Sequence, residues 1–177
     1  PDPNEVLERF GADALRAYMI DSPVVRAEEL RFDEAGLKEI VRTVVLPYWN
    51  VLSFFTTYAA IDGYDPRTWK ADAVADRPDI DRWILSVLQS LARDVNTEME
   101  GYRLYSVVPR LVSFIDDLTN WYVRRSRALF WKSEDDRDKA NAFATLFEVL
   151  STFSKILAPF MPFLTEQVYQ RLVRVVD

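Results

Sequence analysis

The stretch "NWYVRRSRALFW", residues 120–131, sets three arginines among four large aromatics. Guanidinium groups can hold phosphates and flat rings can stack on bases, the pairing that grips single-stranded nucleic acid. The same residues suit a plain amphipathic helix, with rings in a core and cations in water. Little else in the chain offers chemistry. None of the 177 residues is histidine or cysteine, which excludes imidazole and thiolate bases or nucleophiles, thiolate zinc sites and disulfides. No glycine-rich phosphate loop is present. The pair Asp135-Asp136 falls in a polar run that reads as surface loop and calls for no catalytic explanation. An autonomous enzyme would have only Asp, Glu, Lys, Tyr and Ser/Thr to work with, in no convergent motif.

The net charge of −6 argues at first against a polyanionic partner, but the charge is unevenly spread. Residues 1–61 and 62–102 each carry −4, and residues 133–177 carry −2. Residues 103–132 carry +4, from Arg103, Arg110, Arg124, Arg125, Arg127 and Lys132 against Asp116 and Asp117. A basic stripe on an acidic protein steers an anion to one face while the others repel it. No window reaches the roughly 18 uninterrupted apolar residues of a membrane span. The lack of cysteine and of a basic-then-apolar leader fits a cytoplasmic protein.

The elements that must position these residues are helices. Four glycines and sustained 3.6-residue periodicity predict an all-α fold. Helices are expected at 3–10, ended by Gly11, and at 12–20, followed by an extended "DSPVVRAEELRF". Asp33 should cap a long helix kinked by Pro47. Residues 62–78 read as a flexible polar loop, after which Asp79 or Asp81 caps the next helix. Further helices are expected at 105–131, 139–157 and 163–175, the last two separated by the "LAPFMPF" break. Long helices with short connections make an antiparallel helical bundle.

On a helical wheel at about 100° per residue, Leu111, Phe114, Ile115, Leu118, Trp121, Tyr122 and Leu129 share one apolar direction, which assigns Trp121 and Tyr122 to the core. Ser113, Asp117, Asn120, Arg124, Arg127 and Trp131 share another face. Trp131 is the unusual member: it is either free to stack on a base or packed beneath another segment. Arg125 points into the apolar stripe, where an unpaired guanidinium is costly, so either it reaches a carboxylate of a neighbouring helix or the stripe opens there onto a surface that something else covers.

Three separated segments resemble the class Ia aminoacyl-tRNA synthetases, and within them the isoleucyl branch. They are "PDPNEVLERFGADALRAYMIDSPVVRAEELRF", "DRWILSVLQSLARDV", and "LTNWYVRRSRALFWKSEDD" followed by "LSTFSKILAPFMPFLTEQVY". Trp121-Tyr122 and the double-proline "APFMPF" are shared broadly among synthetases for hydrophobic amino acids. The arginine triplet before Phe130-Trp131 is similar to the isoleucine enzymes, where valine relatives carry an acidic residue near Arg124.

The resemblance implies a linking segment, residues 1–32, that follows the catalytic signature loop, and an anticodon-binding helical bundle, residues 33–177. The implied partners are the anticodon stem-loop of isoleucine tRNA and the catalytic domain of the same polypeptide; no membrane is implied. ATP and Mg belong to the parent ligase, with no cofactor and no metal expected in this segment, which should not form an adenylate alone. Arg124, Arg127 and Lys132 are then expected at phosphates, Trp131 at a base, Asn120 at a base edge or ribose hydroxyl, and Arg125 at the tRNA or at an internal carboxylate. Asp13 and Arg16, in "GADALR", pair with each other or grip a neighbouring backbone. Two other readings stay open: the equivalent domain of a valyl or leucyl enzyme, and a helical protein-interaction scaffold whose arginines serve carboxylates.

Overall fold

The computed structural model describes residues 2–131 and 136–173, so Lys132 and Asp135 lie outside the described residues. Among the described residues the fold is all-helical, with no strand. Two short helices, α1 (Pro3–Phe10) and α2 (Ala12–Asp21), precede the bundle. Asp2 caps α1 by accepting from the Asn4 amide, and Gly11, at a φ of 81°, turns the chain sharply into α2. The segment expected to be extended begins instead with a 3-10 turn, Pro23–Arg26. Ser22 sets it up: its hydroxyl accepts from the Val24 amide and donates to the Met19 carbonyl.

The bundle begins with α3 (Glu34–Ile40), capped by Asp33 as expected, and continues through a π-turn, Val41–Val45, into α4 (Leu46–Asp62). In that turn the Leu46 amide donates to the Val41 carbonyl, five residues back. A wide turn placed just ahead of Pro47 relieves the clash of its ring with the carbonyl four residues earlier, which a regular helix would suffer. By length and composition the helix 34–62 is long and apolar enough to cross a membrane. Here Leu37, Ile40, Val44, Tyr48, Val51, Leu52 and Phe55 are buried in the bundle core.

Residues 62–78 read from sequence as a flexible loop; Asp62 instead ends α4, and residues 63–78 form a strap pinned to the final long helix, α8 (Asp136–Leu157). Asn141 accepts from the Asp72 amide and donates to the Asp72 carboxylate, both at 2.8 Å. Arg77 donates to the Thr145 hydroxyl, and Trp69 packs edge-on against Phe143. The polar composition that suggests a loose loop here supplies the anchors.

Helix α5 (Asp79–Glu100) starts without a side-chain cap, so neither Asp79 nor Asp81 plays the expected part. Asp81 is turned inward instead. A turn at Gly101 leads to α6 (Val107–Asp116), a second π-turn (Asp117–Val123) and α7 (Arg124–Trp131), one continuous helix running antiparallel to α5. The chain closes with α8 and, after "LAPFMPF", α9 (Pro162–Leu172). Phe114, Tyr48 and Phe153 meet at the centre, with ring centroids 4.8 and 5.1 Å apart, and the Tyr48 hydroxyl donates to the Leu150 carbonyl.

The N-terminal helices are fastened to this bundle at three places. Arg9 makes a bidentate pair with Glu34. Tyr18 accepts from the Asp33 amide, and only a glycine at position 36 leaves room for its ring, since a Cβ there would stand 2.3 Å from it. Asp13 accepts from the amides of Phe163 and Leu164, while Arg16 donates twice to the Pro159 carbonyl. Of the two expectations for Asp13 and Arg16, the backbone grip is the one formed. Asp13 thereby caps a helix that has no cap of its own, 150 residues later in the chain. Asp13→Ala should therefore lower stability by about 1 kcal/mol. In urea unfolding the midpoint should fall with the slope unchanged.

Candidate nucleic-acid interface

The helix that carries the three arginines does not keep a regular register. Over Asp117–Val123 it widens, and the Arg124 amide donates to the Thr119 carbonyl five residues back. Within this widened turn the Thr119 hydroxyl back-bonds along the helix, donating to the Ile115 carbonyl at 2.7 Å. Thr43 does the same for Glu39 in the π-turn of the opposing helix. From Tyr122, near the end of the widened turn, the buried positions are Tyr122, Ser126 and Phe130, four residues apart. At about 100° per residue Phe130 would lie roughly 120° from Leu118, yet both are fully buried.

That shift overturns two expectations. Trp121 is 49% exposed rather than core. Arg125 is exposed rather than inward, and it finds an indole instead of a carboxylate: its guanidinium lies 4.5 Å from the centroid of the Trp121 ring. Tyr122 is buried, as expected, and its hydroxyl donates to Asp81 at 2.8 Å.

Asn120, Arg124, Arg127 and Trp131 are brought together along one wall of a groove of about 870 Å³. The opposing wall comes from the helix 34–62, through Arg42, Thr43, Pro47, Asn50, Phe54 and Tyr58. Both π-turns thus border the same groove, through Thr43 and Thr119. The floor at one end is aromatic. Trp131, 41% exposed, lies against Tyr58 with centroids 5.6 Å apart and meets Phe54 edge-on, with Arg127 beside it at 5.8 Å. Trp131 is therefore partly packed by the other wall while still open to the groove.

The charges of this wall are available. Among the described residues Arg124, Arg125 and Arg127 form no ion pair with a carboxylate, whereas Arg9, Arg26, Arg67, Arg82, Arg103 and Arg110 all do. Across the groove Arg42 is paired with the exposed Glu39, whose carboxyl that hydrogen bond holds below its ordinary range. Asp116 also lines the groove and accepts from the Asn120 amide group, which fixes the Asn120 side chain at the rim. Partial burial and then the neighbouring Asp116 push the Asp117 carboxyl above its usual value. Sequence reasoning missed the whole opposing wall, because periodicity within one helix does not tell which helix faces it. Asn50, polar between Trp49 and Val51, is the one mark in the sequence of a wetted position there.

The bundle of antiparallel helices carrying this cationic groove matches, over residues 81–176, the family described as the anticodon-binding domain of tRNA ligase, and the chain belongs to that family. Its relatives include isoleucine–tRNA ligase of Bdellovibrio bacteriovorus, 51% identical over 175 residues, covering 99% of this chain and 16% of that protein. Isoleucine–tRNA ligase of Chlamydia pneumoniae is 49% identical over 172 residues, covering 97% of the chain and 16% of the relative. The chain thus spans about 16% of the length of these relatives. Methionyl-tRNA synthetase of Mycobacterium tuberculosis in complex with methionyl-adenylate shares the fold, with a TM-score of 0.71 at 20% identity over 99% of this chain and 36% of that one.

Behind the groove, Asp81 is 1% exposed, and one of its oxygens has no hydrogen-bond partner. Burial pushes its carboxyl above the ordinary range; the Tyr122 hydrogen bond and Arg77 pull it back, and Asp138 adds to the rise. Burial, followed by the Asp81 charge, likewise raises the Tyr122 phenol well above its usual value. A carboxyl with a raised folded pKa holds its proton more tightly in the folded state. Its contribution therefore favours folding at low pH and is lost as pH rises through the ordinary carboxylate value toward the folded one. Asp81→Asn, which keeps an acceptor for Tyr122, should thus gain stability relative to wild type as pH is raised from 3 to 7. Paired denaturant titrations across that range check the sign.

Proposed function

We propose that the chain is the part of an isoleucine–tRNA ligase that docks on the anticodon arm of isoleucine tRNA. The observation that carries this reading is the set of arginines, Arg124, Arg125 and Arg127, without carboxylate partners among the described residues on one ridge, two of them lining the groove. Their guanidinium groups suit phosphates as planar, multiply donating cations. Asn120 and the rim beside it suit a base edge or a ribose hydroxyl, and Trp131 offers the open part of its ring to an unstacked base. Unpaired loop bases are legible by stacking and edge hydrogen bonds, whereas an A-form stem is read by shape and phosphate. Lys132, next in the chain, extends the cationic run.

The identity of the relatives supports isoleucine over valine or leucine as the amino acid of the parent enzyme. In that parent, ATP and Mg would serve adenylation elsewhere in the polypeptide, with residues 1–32 linking that domain to the bundle of residues 33–177. A ligase of this kind acts in the cytoplasm. The grip of Asp13 and Arg16 on residues 159–164 suits a link that must transmit a fixed orientation.

The test is a titration with isoleucine tRNA, the same tRNA with a changed anticodon, and an unrelated tRNA, each at two salt concentrations. Three phosphate contacts predict a slope of log affinity against log salt near −2, at about −0.7 per contact. Arg124→Ala combined with Arg127→Ala should weaken binding and flatten the slope by about 1.4. Equal binding of all three RNAs would reduce the groove to generic electrostatics. An unchanged affinity in the double variant would favour a protein-interaction scaffold.

A further inference from the structure

A π-turn is held in place by tertiary contacts, because its extra residue opens the backbone ladder without adding a bond. Contacts aimed at the turn Asp117–Val123 from other helices include the Asp81–Tyr122 hydrogen bond, from the first turn of α5 to the sixth residue of the widened segment. The pair is poorly explained as a source of stability. Asp81 is almost fully buried with one oxygen unpartnered, and an apolar pair of similar volume would spare that desolvation. A buried polar pair that adds little stability is best understood as fixing register, since it is satisfied in one alignment and orphaned in the others.

The alternative register is written in the wheel. Without the extra residue the apolar direction passes through Trp121 and Arg125 as well as Tyr122, and the side chains beyond the turn that now line the groove rotate away from it. In the observed register Tyr122 meets Asp81, Trp121 and Arg125 are outside, and Asn120, Arg124 and Arg127 border the groove. We infer that Asp81 is a positioning residue: through its bond to Tyr122 it holds the widened turn and so sets the helical register at which Asn120, Arg124 and Arg127 reach the groove. It acts through Tyr122 and touches no RNA. The binding part of this inference rests on the tRNA reading above; the register part does not.

Trp121 reports the register directly, and its indole N–H signal can be assigned by its loss in Trp121→Phe. Exposure of that signal to a soluble paramagnetic agent, and hydrogen exchange of the Arg124 amide, are to be measured in wild type, Asp81→Asn, Asp81→Ala and Tyr122→Phe. Tyr122→Phe removes one oxygen and keeps the ring volume, so a folded variant is available even if Asp81→Ala unfolds. The expected result is that Tyr122→Phe and Asp81→Ala shield Trp121, speed exchange at Arg124 and lower affinity for isoleucine tRNA by about tenfold. Asp81→Asn, which still accepts from Tyr122, should retain wild-type behaviour in all three measurements. If folded Tyr122→Phe keeps wild-type Trp121 exposure and Arg124 exchange, losing only stability, the inference is overturned. A failure of the wild-type chain to bind tRNA would instead overturn the reading of the groove, with the Trp121 and Arg124 measurements still deciding the register.

Discussion

The extra residue in the turn Asp117–Val123 governs which side chains the arginine helix shows to water. A helix that must bury Leu111, Ile115, Leu118 and Tyr122 and also Phe130 cannot do so with an even pitch. Widening the helix once resolves the conflict: Phe130 turns inward to meet Phe143 and Phe54, at 4.8 and 5.0 Å between centroids. The arginines turn outward as a consequence. Core packing at the far end of the helix and cation presentation at its surface are therefore one geometrical event.

The opposing helix reaches a similar solution for another reason. Pro47 cannot donate to the backbone ladder and crowds the carbonyl before it, and the π-turn at Val41–Val45 absorbs both effects. Each widened turn carries a threonine whose hydroxyl donates to the carbonyl four residues back, and both threonines line the groove. The result is a trough whose walls are two irregular helices with aromatic packing at one end and guanidinium groups along the rim.

Much of this was legible in the residues. The helices, the Asp33 cap and the break at "LAPFMPF" follow from periodicity, proline and capping chemistry, and the charge partition pointed to a helix that lines the groove. Prediction failed where geometry ceased to be regular. The wheel holds through Leu118 and goes wrong at Trp121 because no residue type marks an inserted turn. Arg125 falling in an apolar stripe was the visible symptom; taken as a sign of slipped register, it would have sent Trp121 outward and Phe130 inward. The strap at residues 63–78 was misread for a different reason. Its aspartates and arginine look like solvated loop chemistry until Asn141 and Thr145 are known to lie beneath them.

The bond from Asp13 to the start of α9 joins positions 150 residues apart. On a ribosome the first of these emerges long before the second, so α1 and α2 can meet residues 33–36 early, while the grip of Asp13 and Arg16 must wait until nearly the whole segment has been made. Closing so long a loop adds little to the entropic cost over a loop half its size, but it delays the contact to the last stage of assembly. The last turn of the fastening is thus made by some of the first residues to be synthesised.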